Sequence, residues 1–165
     1  MIFITADSTK DFMAKLLVSD VFDDFKLQEA NIITSVIYTI GGRIHPEFFS
    51  DDERENITGE FIPWKELKHV VFGLIKGKNP PVSFRMTLLL DKAQSDALIR
   101  KKSPEGANTP LRALVINIRF ENGTIGIVTG TSYDSFVADK SADEIWDKAF
   151  CEFLVSKDIA FTLPQ

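Results

Sequence analysis

Two runs of alternating residues, joined by Asn122-Gly123, constrain the fold of this 165-residue chain more than any other feature. Over residues 114–120, Leu, Ile, Ile and Phe alternate with Val, Asn and Arg. Such alternation places the apolar side chains on one face of a strand. An Asn-Gly pair suits a type I′ turn, because both central residues of that turn have a positive φ. The sequence therefore predicts an antiparallel hairpin that continues into residues 124–128.

The other elements are predicted from the same two periodicities, alternation for strands and spacings of three and four for helices. These patterns predict strands over 2–5, 25–40, 82–90 and 159–163, and amphipathic helices over 8–18, 63–77 and 141–157. The strand over 25–40 has apolar residues on both faces, so we expect it to be central or covered on both sides. Ser141 and Glu144 have the spacing of a capping box at the start of the last helix.

Two segments give weaker signals. Asp91 could cap a short helix through Ile99, and residues 100–110 are interpreted as an exposed loop. Residues 50–60 are too polar to bury and are predicted to form a mobile loop. Taken together, the elements predict an α+β fold in which two principal helices, and a third near the C-terminus, pack on a strongly curved, mostly antiparallel sheet.

The length suits a single domain over residues 1–165. The order of elements also suggests a duplicated β-α-β-β unit, with half-repeats at 1–62 and 63–132 and a closing helix at 141–157. This order resembles one domain of the DNA sliding clamps over about the first 130 residues. The closing helix has no counterpart in a clamp domain, and a shared fold would not by itself transfer function.

Composition excludes several classes of protein. Hydrophobic residues make up 44% of the chain and charged residues 26%, which are ordinary globular proportions. The single cysteine, Cys151, cannot form an internal disulfide, and no apolar run approaches the ~20 residues of a membrane span. The N-terminus lacks the pattern of a signal peptide, so we expect a cytoplasmic protein. Phenylalanine supplies 14 of the 18 aromatic residues, which indicates core packing.

Four stretches of the chain resemble a family of small bacterial proteins catalogued as a domain of unknown function. They are residues 11–17, with Asp-Phe-Met and Leu-Leu; 42–49, Gly-Arg-Ile-His-Pro-Glu-Phe-Phe; 64–78, with Trp-Lys-Glu-Leu and Ile-Lys-Gly-Lys; and 129–132, Thr-Gly-Thr-Ser. The resemblance spans nearly the whole chain and implies no activity.

A metal site is the best enzymatic candidate in the sequence. Imidazole and carboxylate ligands are grouped within nine residues, at His45, Glu47, Asp51, Asp52 and Glu53. They would support a metal-assisted hydrolase or lyase, although their spacing matches no known ligand signature and loop carboxylates are generally solvating. Gly130 precedes Thr131 and Ser132 at a strand end, where a nucleophile could sit, but turn hydroxyls usually bind local backbone.

The sequence favours a binding role over these chemistries. Basic residues that could form one nucleic-acid patch are Lys76, Lys78, Arg100, Lys101, Lys102, Arg112 and Arg119. The net charge of -5 and the absence of an aromatic-rich basic motif make nucleic acid an unfavoured partner. We therefore expect a non-catalytic binding or assembly module that needs no cofactor and binds an unidentified protein partner or itself. The metal-assisted enzyme and clamp-like nucleic-acid contact are the alternatives.

Overall fold

A computed structural model describes residues 1–106 and 110–165 of the chain. Its strands are β1 (Phe3–Ala6), β2 (Lys26–Ile33), β3 (Ile37–Gly41), β4 (Ile62–Pro63), β5 (Ser83–Leu90), β6 (Leu111–Glu121), β7 (Thr124–Tyr133) and β8 (Phe161–Thr162). Its α-helices are α1 (Thr9–Leu17), α2 (Asp51–Arg54), α3 (Trp64–Ile75), α4 (Lys92–Lys102) and α5 (Ser141–Ser156). The predicted α+β class with an antiparallel sheet is confirmed, with more helices than expected.

All eight strands belong to one open antiparallel sheet. The strand order is β3-β2-β5-β6-β7-β1-β8, and β4 pairs with β2 on the same edge as β3. Strand β1, from the first predicted half-repeat, pairs with β7 from the second. The two proposed halves thus share a single sheet, and the duplication stays a prediction.

The predicted hairpin is confirmed. Glu121 pairs with Thr124 across the turn, and Asn122 and Gly123 have φ values of 53° and 75°. Both central residues are therefore in the left-handed region that a type I′ turn requires.

The prediction of a single strand over 25–40, central or covered on both sides, is wrong in that the segment forms two strands. The chain turns back at Thr34, whose N–H donates to the carbonyl oxygen of Val36 at 2.8 Å. Thr34 and Ser35 favour such a turn because their hydroxyls can satisfy nearby backbone groups. The result is an inner strand, β2, and an edge strand, β3, most of whose residues are exposed.

One helix continues past its predicted end, and another lies in a segment that was predicted to be a loop. Asp91 caps α4 in a reciprocal capping box with Gln94. The helix continues to Lys102, so residues 100–102, which were predicted to be loop, are helical. Of the remaining predicted loop, residues 107–109 lie outside the described residues. The segment 50–60 contains α2, which Ser50 and Glu53 cap in the same reciprocal way.

Helix α5 begins where predicted but not by the predicted cap. Its N-cap is Lys140, and the Ser141 N–H is bound by Asp139 Oδ1 at 2.9 Å, so the Ser141 and Glu144 capping box is wrong. Trp146 is buried and donates its indole N–H to the carbonyl oxygen of Val115 at 3.0 Å. Within residues 1–106 and 110–165, no helix combines the length and apolarity needed to cross a membrane.

Helices α1, α3, α4 and α5 cover one face of the sheet. On the covered face, alternate strand residues are buried, among them Ile4, Leu27, Ile32, Phe84, Met86, Leu88, Ile116, Ile118 and Ile127. Rings from α1, the loop before β2 and α5 complete this core, and Phe22 contacts Phe12, Phe25 and Phe153 at centroid distances of 5.6–5.7 Å. The strand residues between the buried ones point to the other face, which is polar.

Candidate functional site

The polar face of the sheet contains two grooves. The first, called here the arginine groove, has a volume of about 630 Å³ and is lined by residues that include Phe3, Glu29, Arg85, Asn117, Arg119 and Glu121. The second, called here the loop groove, has a volume of about 700 Å³ and is lined by residues that include Arg43, Glu60, Phe61, Leu89, Arg112 and Ser132. Four of the six arginines in the chain therefore lie on this face.

Two arginines face each other in the arginine groove. Arg85 on β5 and Arg119 on β6 are direct cross-strand partners in the antiparallel register, and both side chains are exposed. Directly opposed residues have Cβ atoms only about 5 Å apart, and like charges in such a pair destabilise a sheet. Among the described residues, the ion pair found for these two arginines joins Arg119 to Glu121 at 3.8 Å. Both of its side chains are at least half exposed. The groove therefore contains two guanidinium groups on directly opposed residues, together with the carboxylates of Glu29 and Glu121.

Polar side chains next to the arginines are held in place by hydrogen bonds. The Thr87 hydroxyl donates to Asn117 Oδ1 at 2.8 Å, in the next pair of residues on the same face of these two strands. On β2, Asn31 Oδ1 accepts from the Thr39 hydroxyl at 2.9 Å and Asn31 Nδ2 donates to Glu29 at 3.3 Å. Asn117 uses its oxygen for Thr87, and its amide group adds N–H donors to the lining of the groove.

An aromatic ring forms the wall of the arginine groove beside Arg119. Phe3 is 50% exposed and lies against Gly126, which pairs with Arg119 across the sheet. A Cβ atom at position 126 would come within 3.0 Å of the Phe3 ring, so glycine permits this close approach. The groove consequently offers an exposed apolar surface next to the two opposed guanidinium groups.

The loop groove is organised around Glu60. Its carboxylate pairs with the guanidinium groups of Arg43 and, at 3.3 Å, Arg112. Leu89 and Ala113 are buried here on the polar face, outside the main core, beside the segment 58–61. Desolvation raises the pKa of Glu60, but hydrogen bonds from Arg112 and Arg43 outweigh it, so the net pKa is below the ordinary glutamate value.

Replacing Glu60 with glutamine is expected to lower the free energy of unfolding by about 0.5 kcal/mol at neutral pH, because the pair is over a third exposed and solvent screens it. The folded-state pKa is lowered, so this contribution is present above the unfolded pKa and is lost as the pH falls through the folded pKa. Urea denaturation of both proteins at neutral and acidic pH measures it. A difference that persists at acidic pH would contradict the ion-pair explanation.

The predicted metal ligands are only partly brought together. His45 Nδ1 lies 3.2 Å from Glu47 Oε1, and both side chains are exposed. A backbone hydrogen bond and then the His45 contact lower the pKa of Glu47. Asp51 lies on α2 and pairs with Arg54 at 3.4 Å, and Asp52 is exposed on the same turn. Over residues 1–106 and 110–165, His, Cys, Asp and Glu side chains form no group of three suited to a metal, and the metal site stays a sequence prediction.

The hydroxyls near the end of β7 divide between the two faces. Thr131 donates to Asp143 on α5, instead of to local backbone as expected for turn hydroxyls, and Thr129 donates to Asp147 on the same helix. Ser132 is on the opposite face and lines the loop groove. The sequence contained a signal for these contacts. It has hydroxyls at alternate positions of one strand and two carboxylates four residues apart on a helix.

Sequence reasoning missed the arginine pair. The sequence predicts Arg119 in an alternating strand and in a possible nucleic-acid patch, and it predicts Arg85 only as part of the strand over 82–90. The available signal was that both occupy polar positions of alternating strands, which share a face if the strands are neighbours. Their direct opposition depends on the register between β5 and β6, which α4 separates in the sequence.

A search of curated proteins found no match, and a search of solved structures also found none. The resemblance to a sliding-clamp domain is accordingly unconfirmed. A family model described as "Family of unknown function (DUF5721)" matches residues 15–162. This match covers most of the chain and agrees with the resemblance to a domain of unknown function, so the protein belongs to this family.

Proposed function

We propose that this protein is a binding module that holds a small organic anion in the arginine groove. The observation that carries the proposal is the direct cross-strand opposition of Arg85 and Arg119 on the uncovered face. An anion placed between the two guanidinium groups would remove their repulsion and accept charge-assisted hydrogen bonds from both. Arginine suits this role because its planar fork binds carboxylate or phosphate oxygens in pairs.

The surroundings favour a small anion with an apolar part over a polyanion. The groove also contains Glu29 and Glu121, so its formal charge is balanced, and nucleic acid would meet repulsion along it. A volume of about 630 Å³ is in the usual range for small-molecule sites. The ring of Phe3 offers a surface for stacking a flat group attached to the anion.

Calorimetric titration with pyrophosphate, benzoate and adenosine monophosphate tests this proposal, since these probes vary the anion and the flat group separately. Arg85→Ala and Arg119→Ala should each weaken binding of every probe by about tenfold or more, because each removes a charge-assisted hydrogen bond. Phe3→Ala should weaken binding of the two aromatic probes and leave pyrophosphate binding unchanged.

Arg100→Ala is the matched control, because it removes the same charge from the exposed surface of α4, outside both grooves. It should leave the affinities unchanged. Circular dichroism of each variant verifies that the fold is retained. Equal losses in the groove variants and in Arg100→Ala, or no binding of any probe by the wild-type protein, would refute the proposal.

A further inference from the structure

Strand β3 forms one edge of the sheet. Its residues are largely exposed, and the exposed fractions of Ile37 and Tyr38 are 67% and 38%. Residues 32–42 contain no charged residue and no proline. Natural edge strands are commonly protected against pairing by lysine, proline, a bulge or a covering element. We propose that a second copy of this chain pairs with this edge, β3 against β3, and extends the sheet across a two-fold axis.

The backbone groups available for pairing follow from the hydrogen bonds between β2 and β3. Gly42 N–H donates to Gln28 O, and in the same ladder Thr34 N–H donates to Val36 O, each at 2.8 Å. In an antiparallel ladder, bonded pairs alternate with non-bonded pairs. Tyr38 and Ile40 therefore bond inward to β2, and the backbone groups of the alternate residues, Ile37, Thr39 and Gly41, point outward from the sheet.

These outward groups are self-complementary around Thr39. With the two-fold axis at Thr39, each chain's Thr39 pairs with the other's, and Ile37 pairs with Gly41 of the second copy. All three outward residues then donate and accept backbone hydrogen bonds in both directions. The chain needs no shift of register or insertion to complete the ladder.

The side chains in this register are also well matched. On the polar face, two threonines are directly opposed, and on the covered face Tyr38 of each copy is opposite Ile40 of the other. Threonine pairs and pairs of aromatic with β-branched residues are among the favourable cross-strand contacts. Since the strand carries no charge, two copies meet without repulsion. A charged partner would find no opposite charge on this strand. These features favour a second copy over an unrelated extended peptide.

Sedimentation velocity over a wide range of concentration tests the inference. Wild-type protein should form a concentration-dependent dimer. Thr39→Lys and Thr39→Glu should each be monomeric, because each places like charges directly opposite one another at the two-fold axis. An equal mixture of the two variants should recover the dimer, because the opposed charges then attract.

Val155→Lys is the matched control, since Val155 is exposed on α5, which packs on β7 toward the opposite edge of the sheet from β3, and its substitution should leave the dimer intact. Recovery in the mixture shows that the single variants are folded and that the effect is electrostatic. A monomeric wild-type protein at every concentration, dimers that persist in the single variants, or a mixture that stays monomeric would overturn the inference. The inference does not rest on the proposed anion binding in the arginine groove.

Discussion

Replacing Gly42 with alanine is expected to lower the free energy of unfolding by about 3 kcal/mol, because the new methyl group meets backbone instead of a movable side chain. A Cβ atom at this position would overlap the carbonyl oxygen of Leu27 and lie 2.6 Å from its carbonyl carbon. Gly42 is buried where β3 leaves β2 and β4 joins it, and its carbonyl accepts the Ile62 N–H at 2.8 Å. Relieving the overlap must therefore disturb both pairings.

The neighbouring glycine supplies the control for this experiment. A Cβ atom at Gly41 would meet nothing within 4 Å, and that residue is exposed, so Gly41→Ala should change stability by less than about 0.5 kcal/mol. Chemical denaturation of the two variants measures both effects. Similar stabilities for the two alanine variants would show that the close approach of Gly42 to β2 is not what requires glycine.

The second large effect is expected at Trp64, the first residue of α3. Its side chain is fully buried, and its indole N–H donates to the carbonyl oxygen of Leu16 at 3.0 Å. Leu16 lies in the last turn of α1, where carbonyl oxygens lack partners within the helix. Trp64→Ala should lower the free energy of unfolding by about 4 kcal/mol, because it leaves a cavity and removes that bond.

Two further variants separate the contributions at Trp64. Trp64→Phe keeps much of the ring but loses the hydrogen bond, so its loss should be smaller, about 2 kcal/mol. Phe136→Ala is the exposed aromatic control, because that ring is 93% exposed, and its effect should be below about 0.5 kcal/mol. Thermal and urea denaturation measure all three. A loss at Trp64 no larger than at Phe136 would contradict its role in joining α1 and α3.

The contacts of the tryptophans were predictable in part. Trp64 and Trp146 lie on apolar stripes, which predicts burial in the core, and both are buried. The sequence could not identify their acceptors, because the carbonyl oxygens of Leu16 and Val115 are remote in the chain. A buried indole N–H needs some partner, but the packing of separate elements selects which one.

Local periodicity determined the α+β class, the helices of 8–18, 63–77 and 141–157 in outline, and the hairpin at Asn122-Gly123. These features depend on residues a few positions apart, whose spacing is set by the geometry of one strand, helix or turn. The same reasoning joined β2 and β3 into one strand, because Thr34 and Val36 keep the alternation of residues through the turn. Alternation does not distinguish a strand from a hairpin when the turn residues also suit a strand.

Tertiary structure alone decided the strand order, the edge position of β3 and the opposition of Arg85 to Arg119. Each is a long-range relation: β1 is inserted beyond β7, and β5 meets β6 across an intervening helix. Register in a sheet is selected by the burial of one whole face, and a slip of one residue would move every side chain to the other face. The core residues of β5 and β6 therefore place their arginines together, although nothing near either arginine in the sequence indicates the other.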